Sequence, residues 1–165
     1  MEDREYRIKF RSCSLSELPE PDHHLVQEAR RAVRRSLAPY SKFHVGAAIL
    51  LDNGEIVCGA NQENAAYPSG TCAERTACYY ASAQYPGVPM RKLAVAAWTR
   101  EGHPADAPEE DCFQAAPISP CGACRQALLE YERMYGDIEV ILYGKDECYI
   151  FPSVKSLLPF SFTEF

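Results

Sequence analysis

The sequence predicts an α/β domain in three layers, a β-sheet with helices on both faces. Two observations predict it. Apolar runs of strand length recur at Val45 to Leu51, Glu55 to Ala60, Arg91 to Trp98 and Ile138 to Tyr143, bounded by Gly, Pro, Asn and Asp. Segments of helical length separate or precede them, from about Asp22 to Leu37, Cys72 to Gln84 and Cys121 to Met134, and such alternation puts helices on both faces of a sheet. The 165 residues make one ordinary domain, long enough to bury about 70% of the unfolded surface around a single core.

The elements follow from local chemistry. Residues 1–21 are polar, end in Pro19-Glu20-Pro21 and carry a candidate short strand at Tyr6 to Phe10; they read as an N-terminal extension on a single domain spanning 22–165. Asp22 is placed to cap a helix in which Leu25, Ala29, Val33 and Leu37, with Val26 beside them, recur at helical spacing. Pro39-Tyr40-Ser41 breaks that helix, and the small residues Gly46-Ala47-Ala48 in the next strand let a neighbouring element approach closely. Asp52-Asn53-Gly54 predicts a hairpin with a type I′ turn, since Asn-Gly tolerates positive φ. A loop from Asn61 to Thr71 leads to the second helix, and the crossover to Arg91–Trp98 is expected to be right-handed. Thr99 to Pro117 reads as a long loop, Tyr149 to Phe151 as an edge strand and Val154 to Leu158 as a short helix.

Composition narrows the function. A net charge of −6 disfavours a nucleic-acid partner, and the short basic patch Arg30, Arg31, Arg34 and Arg35 reads as a solvated helix face. The start, Met1-Glu2-Asp3-Arg4-Glu5, has no apolar secretion segment and no later run approaches a membrane span, so the eight cysteines are expected to be reduced thiols of a cytoplasmic protein.

Three of those cysteines carry the chemistry. Cys121 and Cys124 are spaced to hold one metal from a single turn of chain, and Cys72 supplies a third thiolate. Three ligands leave a tetrahedral zinc one open position, where water becomes acidic enough to ionise near neutrality. Glu74, two residues after Cys72, can reach that water without being a ligand, and Cys-x-Glu with Pro-Cys-x-x-Cys is close to the signature of zinc nucleobase deaminases. Both ligand segments fall at helix starts, where the dipole favours thiolate. Three thiolates on a divalent ion leave a surplus negative charge, and Arg75 is the cation placed to offset it. Two other readings stand beside this one: a closed structural zinc site using Cys58, Cys78 or Cys112 as fourth ligand, and a redox Cys-x-x-Cys, which gives Cys72-Ala73-Glu74 no role.

Asn61 and Glu63 are two residues apart in extended chain, so their side chains point the same way and can hydrogen-bond the hydroxyls of a sugar; a carboxylate there also repels a phosphate. The tail Leu157-Leu158-Pro159-Phe160-Ser161-Phe162 is apolar enough to seek a partner surface.

Pro39-Tyr40-Ser41-Lys42-Phe43-His44-Val45-Gly46-Ala47-Ala48, Asn61-Gln62-Glu63-Asn64-Ala65-Ala66-Tyr67-Pro68, Cys72-Ala73-Glu74-Arg75-Thr76-Ala77 and Ile118-Ser119-Pro120-Cys121-Gly122-Ala123-Cys124-Arg125-Gln126 occur in the order of another set of motifs. The chain in this respect resembles the cytidine deaminases, specifically their small homo-tetrameric, zinc-dependent class, over roughly residues 25–162. The resemblance implies a five-stranded mixed sheet and one Zn²⁺ per subunit on Cys72, Cys121 and Cys124, with Glu74 as the proton shuttle and Arg75 beside the thiolates. It gives Asn61 and Glu63 a ribose-binding role, Phe43 a stacking wall for the base and Ala65 a backbone contact, and it brings Tyr67 and Phe162 into the site across a subunit interface. The implied reaction is hydrolysis of cytidine and deoxycytidine to uridine and deoxyuridine with release of ammonia, in pyrimidine salvage. His44 stands where relatives often carry Pro, and the 99–117 loop is longer than the family usually has.

Overall fold

The computed structural model describes residues 1–163. Its centre is one mixed sheet of six strands in the order β1-β6-β5-β4-β2-β3, made of β1 (Arg11–Cys13), β2 (His44–Leu51), β3 (Ile56–Ala60), β4 (Met90–Trp98), β5 (Glu139–Tyr143) and β6 (Cys148–Phe151). Only β4 and β5 pair in parallel; β2 is antiparallel to both β3 and β4. Three helices cover it: α1 (Glu20–Ala32), α2 (Ala73–Gln84) and α3 (Gly122–Tyr135).

The side-chain alternation of the strands sorts the core into two layers. Ala47, Ile49, Leu93, Val95, Val140 and Leu142 face α2 and α3, while Ala48, Ala94, Ala96 and Ile141 face Leu25, Val26 and Ala29 of α1. Two glycines set how closely the helices approach. A Cβ on Gly46 would lie 2.2 Å from the Ala29 carbonyl oxygen, and one on Gly59 would lie 2.4 Å from that of Ala73. The first turn of α2 therefore rests directly on β3.

Four local expectations are corrected. The sheet has six strands rather than five, because the N-terminal segment adds β1 along β6 with Arg11 opposite Ile150 and Cys13 opposite Cys148. That strand is three polar residues long and has no apolar periodicity to read, and the expected strand at Tyr6 to Phe10 does not form. Phe10 instead stacks on Phe151 at 5.1 Å and meets Tyr149 edge-on at 5.0 Å. Asp22 is not the cap of α1; Pro19 is, with Pro21 in the first turn where a missing N–H costs nothing. Asp22 is instead buried and bonded to Lys92 of β4 at 2.5 Å. In the hairpin Gly54 takes φ +85° while Asn53 keeps a negative φ, and Leu51 and Glu55 are joined N–H to O at 2.9 Å; this is a turn closed by a left-handed glycine bulge, not type I′. Of the four arginines read as a solvated face, Arg31, Arg34 and Arg35 are exposed as expected, while Arg30 is covered. Arg34 pairs with Glu109 at 2.8 Å, and the Arg30 guanidinium pairs with Glu110 while lying 4.8 Å over Phe113 and 4.9 Å over Tyr143.

Those contacts also explain the 99–117 loop. It is fastened along the α1 side of the sheet through Gln114 N–H to Ala97 O at 3.0 Å and Lys145 N–H to Gln114 O at 2.8 Å.

Candidate active site

The two ligand segments start helices on the same face of the sheet. Cys72 is the extended residue capping α2 and Cys121 the one capping α3, as the sequence predicts. Cys72 is fixed through its carbonyl, which accepts from the Thr76 amide at 3.0 Å and its hydroxyl at 3.1 Å. The helix starts converge so that Cys72 Sγ lies 3.8 Å from Cys121 Sγ, Cys121 Sγ lies 3.5 Å from Cys124 Sγ, and all three sulfurs fall within 4.8 Å of one another. A tetrahedral zinc with bonds of about 2.3 Å separates its ligands by about 3.8 Å, so the thiol trio fits such an ion. Among the described residues no other His, Cys, Asp or Glu joins this group, which sets aside the closed four-thiolate reading. Cys78 hydrogen-bonds the Arg75 carbonyl and Cys112 that of Pro108.

The electrostatics are those of a cation site. Hydrogen bonding from Cys124 and from the Arg75 guanidinium, 3.8 Å away, overcomes burial and lowers the Cys72 thiol to about 5. Cys124, the partner that keeps its proton for Cys72 in a buried position, is pushed up. A divalent ion replaces that shared proton with charge. Hydrogen bonding to Cys72 raises Arg75 above its already high value, so its charge is permanent. Glu74 is buried in the first turn of α2, and desolvation raises its carboxyl despite contact with Cys124. A carboxyl so tuned is suited to taking and returning protons.

Beside the sulfurs lies a cleft of about 360 Å³ whose lining includes Asn61, Glu63, Asn64, Tyr67, Cys72 and Arg75. A larger cavity of about 460 Å³ lies elsewhere, at Arg11, Asp22, Lys92 and Glu139, and holds none of these sulfurs. Asn61 and Glu63 both line this cleft, but both are already partly engaged. The Asn61 amide oxygen accepts from Val45 N–H at 2.8 Å and Ser36 Oγ at 2.5 Å, and its Nδ2 donates to Phe43 O at 3.0 Å, which leaves one N–H for a ligand. Glu63 Oε2 accepts from the Tyr40 amide at 2.9 Å and the Ser41 amide at 3.3 Å, and bonding to Ser41 and Tyr40 lowers its carboxyl. Phe43 is half-buried before β2, Ala65 and Tyr67 are exposed on the loop, and Phe162 is exposed in the C-terminal segment. The sequence reading missed Ser36, whose hydroxyl also meets His44 Nδ1 at 3.1 Å; it has no signal without the fold, since its partner Asn61 is 25 residues away.

The chain is similar to known proteins. Residues 19–136 match the family model of the cytidine and deoxycytidylate deaminase zinc-binding region. The chain is 39% identical over 141 residues to a cytidine deaminase of Sporosarcina psychrophila, covering 85% of this chain and 90% of that protein. It is 34% identical over 148 residues to one from Halalkalibacterium halodurans, covering 84% and 92%. Its fold is similar to the crystal structure of a cytidine deaminase from Burkholderia pseudomallei, with TM-score 0.68, 36% identity and coverage of 85% of this chain and 98% of that one. The Mycobacterium tuberculosis cytidine deaminase follows at TM-score 0.62, 29% identity and coverage of 86% and 96%. With the thiol trio, the buried glutamate and the three-layer fold in place, the chain belongs to the cytidine and deoxycytidylate deaminase family.

Proposed function

We propose that this protein is a cytidine deaminase that hydrolyses cytidine and deoxycytidine to uridine and deoxyuridine with release of ammonia, a reaction of pyrimidine salvage. The observation that carries the reading is the trio Cys72, Cys121 and Cys124 at zinc-ligand separations with buried Glu74 beside it and no fourth ligand in the group among the described residues. One Zn²⁺ per subunit, held by these three thiolates, supplies Lewis acidity that brings water within reach of ionisation near neutral pH.

The remaining work falls to the chain. Glu74 takes a proton from the attacking water as its oxygen adds to C4 of cytosine, delivers a proton to N3, and carries another to the departing amino group, so that water and cytidine leave as ammonia and uridine. Arg75 holds its charge against Cys72 and offsets the third thiolate. The spare Asn61 N–H and the outer oxygen of Glu63 address the ribose hydroxyls, Phe43 stacks on the base, and Ala65 offers its backbone. A carboxylate at that wall disfavours a 5′-phosphate, which selects nucleoside over nucleotide. Tyr67 and Phe162, exposed in one subunit, complete a neighbour's pocket in a homo-tetramer.

The catalytic domain is read as residues 22–165 with 1–21 an extension on it, and that extension supplies β1 to the sheet and the first residues of α1. No helix among the described residues is long and apolar enough to cross a membrane; the unpaired thiols support a cytoplasmic enzyme, and the net charge of −6 supports one without a nucleic-acid partner.

The test is an ultraviolet assay of the zinc-loaded protein with cytidine, deoxycytidine and deoxycytidine monophosphate. Turnover of the two nucleosides and little of the nucleotide is expected; preference for the nucleotide would overturn the role of Glu63, and inertness toward all three would overturn the function.

A further inference from the structure

Helix α3 holds more than the metal ligands at its start. Arg125 follows Cys124 directly, and its guanidinium spans two separate pieces of chain. Nε donates to Pro120 O at 2.6 Å and Nη2 to Ser119 Oγ at 2.9 Å, both on the loop that delivers Cys121, while Nη1 donates to Leu157 O at 2.7 Å. The next residue, Gln126, donates from Nε2 to the carbonyl of Phe162 at 2.8 Å. Two turns later Glu132 is buried, and its carboxylate accepts from the amides of Val154 at 2.7 Å and Lys155 at 2.9 Å. Three side chains of one helix therefore hold the backbone of the segment from Val154 to Phe162, and the end of the helix that holds Leu157 and Phe162 is the end that carries Cys121 and Cys124.

We propose that Arg125 and Gln126 are positioning residues that couple the metal-ligand loop to the C-terminal segment, so that filling the thiol trio and fixing the tail at Phe162 are linked events. The inference rests on the reading of Phe162 as part of a substrate pocket only for its effect on KM; the linkage itself stands on the contacts above. The physical reason is geometric. A guanidinium is a rigid planar fork whose donors meet several fixed acceptors at once, so Pro120, Ser119 and Leu157 cannot shift independently while it is in place. All three partners of Arg125 are neutral oxygens, and no ion pair of Arg125 occurs among the described residues, so the group acts by shape rather than by pairing with an acid. An ammonium on a flexible stem offers no such fork, so Lys is not an equivalent replacement. Linkage is reciprocal: whatever orders the tail also favours the ligand loop in its metal-binding form.

The experiment is backbone hydrogen exchange of the full chain, zinc-loaded and after chelation, for the parent, Arg125→Gln, Arg125→Lys and Gln126→Ala. Removing zinc from the parent is expected to speed exchange at least about 10-fold in residues 157–163 as well as in 119–124, while residues 93–97 of β4 stay protected. Arg125→Gln is expected to loosen both segments with zinc present and to speed zinc loss to a chelator, and Arg125→Lys to remain impaired. Gln126→Ala is expected to loosen the tail most and the ligand loop by a smaller factor, keep its zinc, and raise KM for cytidine while kcat stays within about twofold. Should Arg125→Gln fail to fold, the chelation of the parent and Gln126→Ala decide the matter. A tail whose exchange is indifferent to zinc, or recovery of both segments by Lys, would overturn the proposal. Absence of cytidine turnover in the parent would instead count against the proposed function and leave the exchange results readable.

Discussion

At the scale of single residues, Glu74 bears the sharpest prediction. Among the described residues it is the one carboxylate buried against the thiol trio, and Glu74→Gln keeps its size while removing its ability to accept a proton. Zinc content and melting temperature should stay near the parent's, with kcat down by about 10²–10⁴, the cost of losing a general acid–base group. Steady-state kinetics beside metal analysis check this, and activity within threefold of the parent contradicts the mechanism. Arg75 is expected to matter through charge, since its guanidinium lies 3.8 Å from Cys72 Sγ. Arg75→Gln should lower kcat by about 10–100-fold with zinc still bound, and adding Cys72→His, which removes one negative ligand, should recover part of the loss. A folded, zinc-loaded double variant with no recovery would show that Arg75 acts by position and not by charge.

At the scale of elements, what was legible in the sequence was what local spacing encodes. The strands β2 to β6 and the caps at Cys72 and Cys121 follow from apolar runs, turn residues and ligand spacing, and they lie where predicted. What was not legible depends on partners distant in the chain. Three-residue β1 exists because β6 offers an open edge, and Arg30 of α1 is covered because Glu110 returns to it from 80 residues away, with Phe113 and Tyr143 under its guanidinium. Asp22 misled for the same reason: a helix-start acid normally caps, but here Lys92 draws it inward. Burial alone would lower the Lys92 ammonium, yet its bonds to Asp22 at 2.5 Å and to Glu139 at 2.9 Å raise it above its ordinary value. A raised basic group stabilises fully below its unfolded pKa, and that contribution disappears as pH climbs through the folded value. Lys92→Met should therefore destabilise the protein by about 1–3 kcal/mol at neutral pH, because it leaves Asp22 buried and unpaired. Thermal melts should show a loss of roughly 2–10 °C that narrows above about pH 10.5. An equal difference at pH 7 and pH 11 would mean that Lys92 contributes by packing its stem alone.

At the scale of the whole molecule, several aromatic and apolar side chains are left exposed. Tyr67 on the loop, Tyr79 and Tyr80 on α2, Met134 on α3 and Phe162 on the tail are all exposed, in a chain of net charge −6 that has no need of them for solubility. Tyr67 lines the open cleft and Phe162 is exposed on the tail, and such side chains are what a pocket finished by a neighbour requires, which is the support for the tetramer. Light scattering is expected to give four chains, and Phe162→Ala to raise KM for cytidine about 10-fold, near 1.4 kcal/mol, with zinc content unchanged. Because Phe162 is also tied by its own carbonyl to Gln126 of the same chain, that result alone does not say whose site its ring serves. Mixing does. Phe162→Ala chains keep Glu74 and Glu74→Gln chains keep Phe162, so dissociating and reassembling an equal mixture places intact glutamates next to intact phenylalanines only if the ring crosses the interface. In that case about a quarter of all sites should regain the parent's KM, the share expected for random neighbours around a closed symmetric ring of contacts. If the ring serves its own chain, the mixture shows nothing beyond the sum of its parts, and the interface role of Phe162 fails even where the tetramer stands.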